Sequence, residues 1–513
     1  MAVASQWTAA YQQARLKWAI SLWFLGLTGI SGLLGMVLLR SGPHPALIAW
    51  LLFLLATVAI IVQPRYGVYL ILFFTLVADG VLIPWYPFNK NFSSAESIFY
   101  LNDALIFAPV EVFMGLTALT WAAQLFARRR LTGRGGPLWL PMLAFATTLV
   151  GGLVYGLARG GNLTIALWEA RPMFYLPLMY FLTLNLIENR GQVNVLMWMI
   201  MLALFVEGII GNLYFFVTLR ADLSGVQAIT EHSAAIHMNS LFVMVIAVWM
   251  FKGSLRKRLL LPLFAPFVGL TYLATQRRAA FVAIAIALML MAIVLYRYNR
   301  RLFWTIAPPA AVMALLYLAV FWNHSGALGI PARGIKSVLA PDTSSEEYSS
   351  NIYRVLENIN ISFTIHQSPL FGVGFGNKFF VIVPMADISF FDWWEYITHN
   401  SILWVWMKAG LLGFLALLFL IGAMIVVGTQ AFNRMPGGDL KATALTLVLY
   451  IIMHFVYAYV DMSWDTQSMI YVGTAAGLLG GLEWIAAQPV PQRPLRWRWQ
   501  KPRPAEPVIE PLP

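Results

Sequence analysis

About fourteen apolar runs of roughly 20 residues, joined by short polar or basic turns, occupy most of this chain. They lie near 18–39, 46–62, 66–83, 104–127, 138–158, 173–187, 194–218, 235–251, 259–275, 279–296, 303–322, 401–427, 442–460 and 467–487. In hydrocarbon every backbone N–H and C=O must be paired within the segment, so runs of this length predict spanning α-helices. Some are short or contain proline and could be half-helices. The fold class expected is therefore an all-α polytopic membrane protein with about 12–14 transmembrane helices. Composition agrees, at 60% hydrophobic and 11% charged residues. With no cysteine, disulfides, iron–sulfur clusters and cysteine zinc sites are excluded.

A net charge of +12 raises the question of nucleic acid, but the basic residues sit in loops between apolar runs. That is the pattern of membrane topology, so no nucleic-acid partner is expected. Arg15 and Lys17 precede a first run too long for a signal-peptide core, which reads as a retained signal-anchor. With the N-terminus inside, Arg128–Arg130, Lys252, Arg256–Arg258, Arg297, Arg300 and Arg301 all fall on the inner side. Four regions follow: an N-terminal bundle over 1–322, a long outer-face (periplasmic) loop over 323–400, C-terminal spans over 401–488, and a basic Pro-rich, disordered cytoplasmic tail over 489–513. The long loop exceeds a passive connection, and Glu346–His366 within it reads as one amphipathic helix.

The end of that loop is the most informative stretch. Thr398-His399-Asn400 runs into an apolar helix that continues through Lys408, Gly410 and Gly413. Thr398 or Asn400 can cap the helix start. At about 100° per residue His399, Leu403, Trp406, Gly410 and Gly413 share a face, whose small residues would admit another helix. His399 would then point inward at a membrane surface, where a neutral imidazole can accept a proton near neutral pH. A capping or interfacial histidine is the bland alternative. Arg277 and Arg278 follow Gln276 in a short outer turn, against the positive-inside bias. An arginine fork suits a diphosphate, although snorkelling explains many interfacial arginines. Arg354 lies on the loop helix, where an ion pair with Glu347 or Glu357 is the structural alternative. Arg220 and Arg171 are weaker anion-binding candidates, and Arg171 fits packing better.

His399-Asn400, nine residues, Gly410, two residues, Gly413, preceded by Arg354, by Pro369-Leu-Phe-Gly372-Val-Gly374-Phe-Gly376-Asn377 and by Gln276-Arg277-Arg278, resembles the O-antigen ligase and Wzy polymerase family of bacterial polysaccharide enzymes. The resemblance is dense over roughly 230–430. It implies a glycosyltransferase that takes a glycan from an undecaprenyl diphosphate carrier on the outer face and passes it to an acceptor hydroxyl. The acceptor would be lipid A-core or a growing polysaccharide. His399 would be the general base, with Arg277, Arg278, Arg354 and Arg220 on the donor diphosphate in place of a metal. No cofactor is implied, and the location implied is a bacterial inner membrane. A Wzy-type polymerase shares these motifs, and a protein acceptor is conceivable. From other classes, a lipid-linked oligosaccharide flippase would show short loops and related halves, and a structural assembly protein would leave the His-Asn block unexplained.

Other polar residues stand where they could support such a site. Asn400 and Asn377 belong to the motifs, and Glu231 opens Glu231-His232 ahead of a span containing His237 and Asn239. The histidine spacing does not match a zinc helix, so no metal site is expected. Asp392 and Glu395 bracket two tryptophans, which suits sugar binding or an interfacial rim. The Gly372–Gly376 segment lacks the Lys-Ser/Thr of a phosphate loop and reads as a tight turn packed near the donor. There is no Asp-x-Asp triplet, and Arg40–Pro45 has no acid. His44, His324, His366 and His454 read as structural. Lys408, deep in its helix, needs an internal carboxylate. Glu207 is the favoured partner and Glu111 the second choice.

Overall fold

The computed structural model describes residues 45–489, apart from 128, 130–132, 224, 227, 325, 344–345 and 388–392. The expected run at 18–39, the basic tail beyond 489, His44 and Asp392 lie outside the described residues. Within them fifteen α-helices and no strand occur. They are α1 Pro45–Val62, α2 Arg65–Leu76, α3 Pro109–Ala127, α4 Trp139–Ala158, α5 Leu163–Leu186, α6 Arg190–Leu213, α7 Ala234–Met250, α8 Leu255–Ala274, α9 Arg278–Tyr298, α10 Arg300–Phe321, α11 Ile330–Leu339, α12 Glu346–Gln367, α13 Ser401–Arg434, α14 Asp439–Ala458 and α15 Thr466–Ala487. Ten are long and apolar enough to cross a membrane. The apolar α2 and α7 are shorter, and α5, with 24 residues, carries Glu169 and Arg171. The protein is thus an all-helical, polytopic membrane protein, and the loop helix expected over 346–366 is α12.

Helix ends differ from the expected ones for local reasons. Helix α2 stops at Leu76 because Asp79 captures the N–H groups of Val81 and Leu82, at 2.9 and 2.8 Å, in a turn. Helix α3 starts at Pro109, whose missing N–H costs nothing in a first turn. The largest shift is at α5, expected from 173. Asn162 accepts the Ile165 N–H at 3.1 Å and starts the helix at Leu163, which draws Glu169 into the bundle.

Helices α5 and α15 pack closely. A Cβ on Gly473 would lie 2.4 Å from the Leu176 carbonyl oxygen, and one on Gly477 2.5 Å from that of Tyr180. Small residues four apart are what lets two membrane helices touch backbones. The connections 77–108, 219–233, 322–400 and 459–465 and the turns 159–162 and 275–277 fall at alternate helix junctions.

Lys408 departs from the expected pairing. Its partner is neither Glu207 nor Glu111 but Glu169, at 2.7 Å, with both side chains fully buried. The ammonium also donates to the Asn377 carbonyl, and the second Glu169 oxygen accepts the Gly376 N–H at 2.7 Å. Glu111 instead meets Arg171 at 3.3 Å and the Tyr175 hydroxyl. Glu207 is buried in α6. Helix α13 is not regular either: it breaks at Gly410, with φ 70° and ψ −173°. A Cβ there would lie 2.1 Å from the Leu370 carbonyl, so the small residue admits the glycine loop and not the regular helix face foreseen.

Removing the charge of Lys408 strands Glu169 in the interior. Lys408→Met is expected to lower stability by about 3–5 kcal/mol, read as a fall in melting temperature. Adding Glu169→Gln should recover part of it, because the uncompensated charge is gone. Unchanged melting of Lys408→Met would show that the pair contributes little.

Candidate functional site

Asn400, not Thr398, caps α13: its side chain accepts the Leu403 N–H at 3.1 Å. His399 therefore stands just ahead of the helix, not on the face with Leu403 and Trp406. What holds it is Glu357 on α12. The His399 backbone N–H donates to Glu357 Oε2 at 2.8 Å, and the ring Nδ1 lies 3.2 Å from both carboxylate oxygens. The Tyr353 ring stands edge-on to the imidazole at 5.6 Å. Glu357 is 2% exposed. A buried carboxylate on Nδ1 favours the tautomer with the proton there and leaves the Nε2 lone pair to act as a base.

Arg354, one turn earlier on α12, turns to Asp461 between α14 and α15. Its Nη2 lies 3.7 Å from Asp461 Oδ2, and Ser350 accepts from its Nη1 at 3.3 Å. The Asp461 carboxylate also lies 3.0 Å from His232 Nδ1 and accepts the Met462 N–H at 2.9 Å. Burial alone would raise the Asp461 carboxyl. The His232 hydrogen bond and the charges of His232, Arg354 and Arg277 outweigh it and hold the group well below the usual carboxylate range.

A cavity of about 770 Å³ opens beside these groups. Arg277, Glu231, His232 and Thr398 line it, together with Lys90 from the 77–108 loop and Trp168 from α5. The two adjacent arginines part company. Gln276 between the helices takes a left-handed φ of 55°, and its amide donates to the Val226 carbonyl at 2.6 Å. Arg277 faces the cavity, whereas Arg278 reaches α11 and donates to Ser337 at 3.1 Å. Glu231 is raised to about 8, first by burial and then by the neighbouring Asp79 and Asp465.

The remaining candidates sit apart from this group. Arg220 is exposed in the loop after α6 and does not line the cavity. Arg171 lines it, but its guanidinium is engaged by Glu111, Asn91 and the Ile106 carbonyl. The Asn377 amide donates to the carbonyls of Gly156 and Val373, at 3.0 and 2.9 Å, and closes the glycine loop. Glu395 pairs with Lys378. His237 and Asn239 are buried in α7, with His237 3.2 Å from Ser468 and Asn239 donating to the Ala280 carbonyl at 3.0 Å. Among the described residues no three His, Asp or Glu side chains gather as they would around a metal ion.

Asp461 and the use of Glu357 escaped sequence reasoning. The available signals were weak: an acid in the short connection between two C-terminal spans, and an acid three residues after Arg354 on one amphipathic helix.

Residues 263–418 match a protein-family model described as O-Antigen ligase. An O-antigen ligase of Salmonella typhimurium is 26% identical over 189 residues, which cover 36% of this chain and 44% of that protein. The chain thus spans less than half the length of that relative. Together these matches support placing the chain in the O-antigen ligase and Wzy-like family. The family segment holds Arg277, Arg354, Glu357, Asn377 and His399. Glu169, Glu231 and Asp461 lie outside it.

The raised Glu231 carboxyl has a measurable consequence. Between 4.5, its ordinary value, and about 8 the folded protein keeps a proton that the unfolded chain has released. Its contribution to stability is therefore complete at low pH and fades as pH rises through that window. Melting temperature followed from pH 5 to 8 should fall more steeply for the wild type than for Glu231→Gln. Parallel curves would contradict the raised carboxyl.

Proposed function

We propose that the protein is an O-antigen ligase-type glycosyltransferase of the bacterial inner membrane, with its site facing the periplasm. It transfers a glycan from undecaprenyl diphosphate to a hydroxyl of a lipid A-core acceptor. The observation that carries this reading is the buried Glu357 carboxylate seated on His399, close to a cavity lined by Arg277. In the reaction, His399 Nε2 takes the acceptor hydroxyl proton as that oxygen bonds to the anomeric carbon. The bond from that carbon to the phosphate oxygen breaks, and the diphosphate leaves with the electron pair. Direct displacement inverts the anomeric centre. Glu357 stabilises the imidazolium formed. Arg277 bears on the departing diphosphate, and Arg354, held by Asp461, adds positive potential nearby. The reading assigns this charge work to arginine, without a metal. The similarity to a Salmonella O-antigen ligase favours ligation over polymerisation.

Purified protein with lipid-linked glycan and acceptor tests the reading. His399→Ala should abolish transfer and retain donor binding. Glu357→Gln should lower kcat by roughly 10²-fold, because the wrong tautomer is no longer disfavoured. Near wild-type turnover by His399→Ala would remove the general base. Deleting the gene should leave carrier-linked chains in place and the acceptor bare; an acceptor carrying single repeat units would mean polymerisation instead.

A second measurement addresses the arginine. Arg277→Gln should raise KM for the donor more than for the acceptor, and Arg277→Lys should restore only part, since an ammonium cannot pair two oxygens at once. Activity should survive exhaustive EDTA treatment. Loss on chelation, reversed by Mg²⁺, would overturn the metal-free assignment.

A further inference from the structure

Three indoles line the cavity, those of Trp168, Trp404 and Trp464, and they differ in what they are free to do. Trp404 is 3% exposed and its N–H donates to the Tyr396 carbonyl at 2.8 Å. Trp464 donates to the Ser401 carbonyl at 2.6 Å. Both are tied into the frame of the α13 start. Trp168 is 37% exposed. One face of its ring is covered by Trp393, at a centroid distance of 4.9 Å and an interplanar angle of 9°.

We infer that Trp168 is a stacking platform for the sugar next to the diphosphate of the donor, held flat from behind by Trp393. The inference rests on the transferase reading above and adds the residue that recognises the glycan.

Three features of the site support this. First, an indole presents a flat, electron-rich face, on which the slightly positive C–H bonds of a sugar ring can lie, while amide and hydroxyl groups around it take the ring hydroxyls. Asn89, Asn91, Ser93 and Ser94, on the loop roofing the same cavity, supply such groups. Second, the platform is rigid. Glu169, the next residue, is held by Lys408 and the Gly376 N–H, contacts that resist rotation of α5 under Trp168. Third, Trp393 belongs to the segment that delivers His399: its carbonyl accepts the N–H groups of Tyr396 and Ile397, at 2.9 and 3.1 Å, in the turn leading to Thr398. The ring pair thus joins α5 to the strap that carries the base. A sugar lying on Trp168 would occupy the cavity that Arg277 and Thr398, the neighbour of His399, also line.

The test compares two ligands on purified full-length protein in nanodiscs: undecaprenyl diphosphate bearing the glycan, and undecaprenyl diphosphate with no sugar. Trp168→Leu keeps an apolar side chain and removes the π face. It should weaken binding of the glycan-bearing lipid by about tenfold and leave the sugar-free lipid within about twofold. Trp168→Phe should recover most of the loss, and Trp393→Ala should show the same selective defect in weaker form. Equal losses for both lipids, or none for the glycan-bearing one, would overturn the platform and leave the transferase reading standing. A wild-type protein that binds neither lipid would overturn both.

Discussion

Two opposite charges with no access to water, Lys408 and Glu169, hold the functional end of this bundle together. Each is costly to bury, and their attraction offsets that cost only when the remaining donors and acceptors are also met. Here the partners come from one loop. Gly376 gives its N–H to Glu169, and Asn377 gives its carbonyl to Lys408. The pair therefore fastens α5 and α13 to the glycine loop at once. That loop must lie flat on its neighbours to reach them. Gly374 rests on the Gly156 backbone, where a Cβ would come within 2.2 Å, and the break in α13 at Gly410 admits Leu370. The start of α13, and with it His399, takes its position from this clamp.

Three acids at the site serve different ends. Glu357 takes the backbone and ring N–H of His399 and so sets the orientation of one imidazole. Asp461 faces His232, Arg354 and Arg277, which keep it ionised in spite of burial. Glu231, buried beside Asp79 and Asp465, holds its proton to about 8 although Lys90 works against it. Near neutral pH the cavity thus carries less negative charge than its residue list suggests. Fixed dipoles and charges in a site of low dielectric act strongly because they need not reorganise when charge develops.

Much of this was readable beforehand, and the misreadings have physical causes. His399 and Arg277 stand out because a charged or titratable group at the end of an apolar run is costly without a purpose, and Arg354 because it lies on the amphipathic loop helix. Asn400 is an ordinary cap, and α12 shows its amphipathic period. Arg278 could not be told from Arg277, because Arg277 is the extended residue capping α9 and Arg278 its first helical residue, so the two side chains diverge. Glu169 was passed over because its charge, with that of Arg171, broke the apolar pattern and moved the expected start of α5 past it. A window that seeks hydrophobic runs excludes the residue whose burial depends on a partner more than two hundred positions away.

By itself the sequence determined the class of fold and the alternation of spans and loops, and it singled out His399 and the nearby arginines as candidates. These are local matters: apolar length, capping chemistry and the cost of charge in hydrocarbon act over one helix or one turn. Only the tertiary structure decided which acid meets which base. Glu357 went to His399 and not to Arg354, Asp461 to Arg354, and Glu169 to Lys408. Ion pairing is decided within about 4 Å, and distances of that size between remote helices depend on how their small residues let the backbones approach. That geometry belongs to the packed bundle as a whole, so no single segment of the chain encodes it.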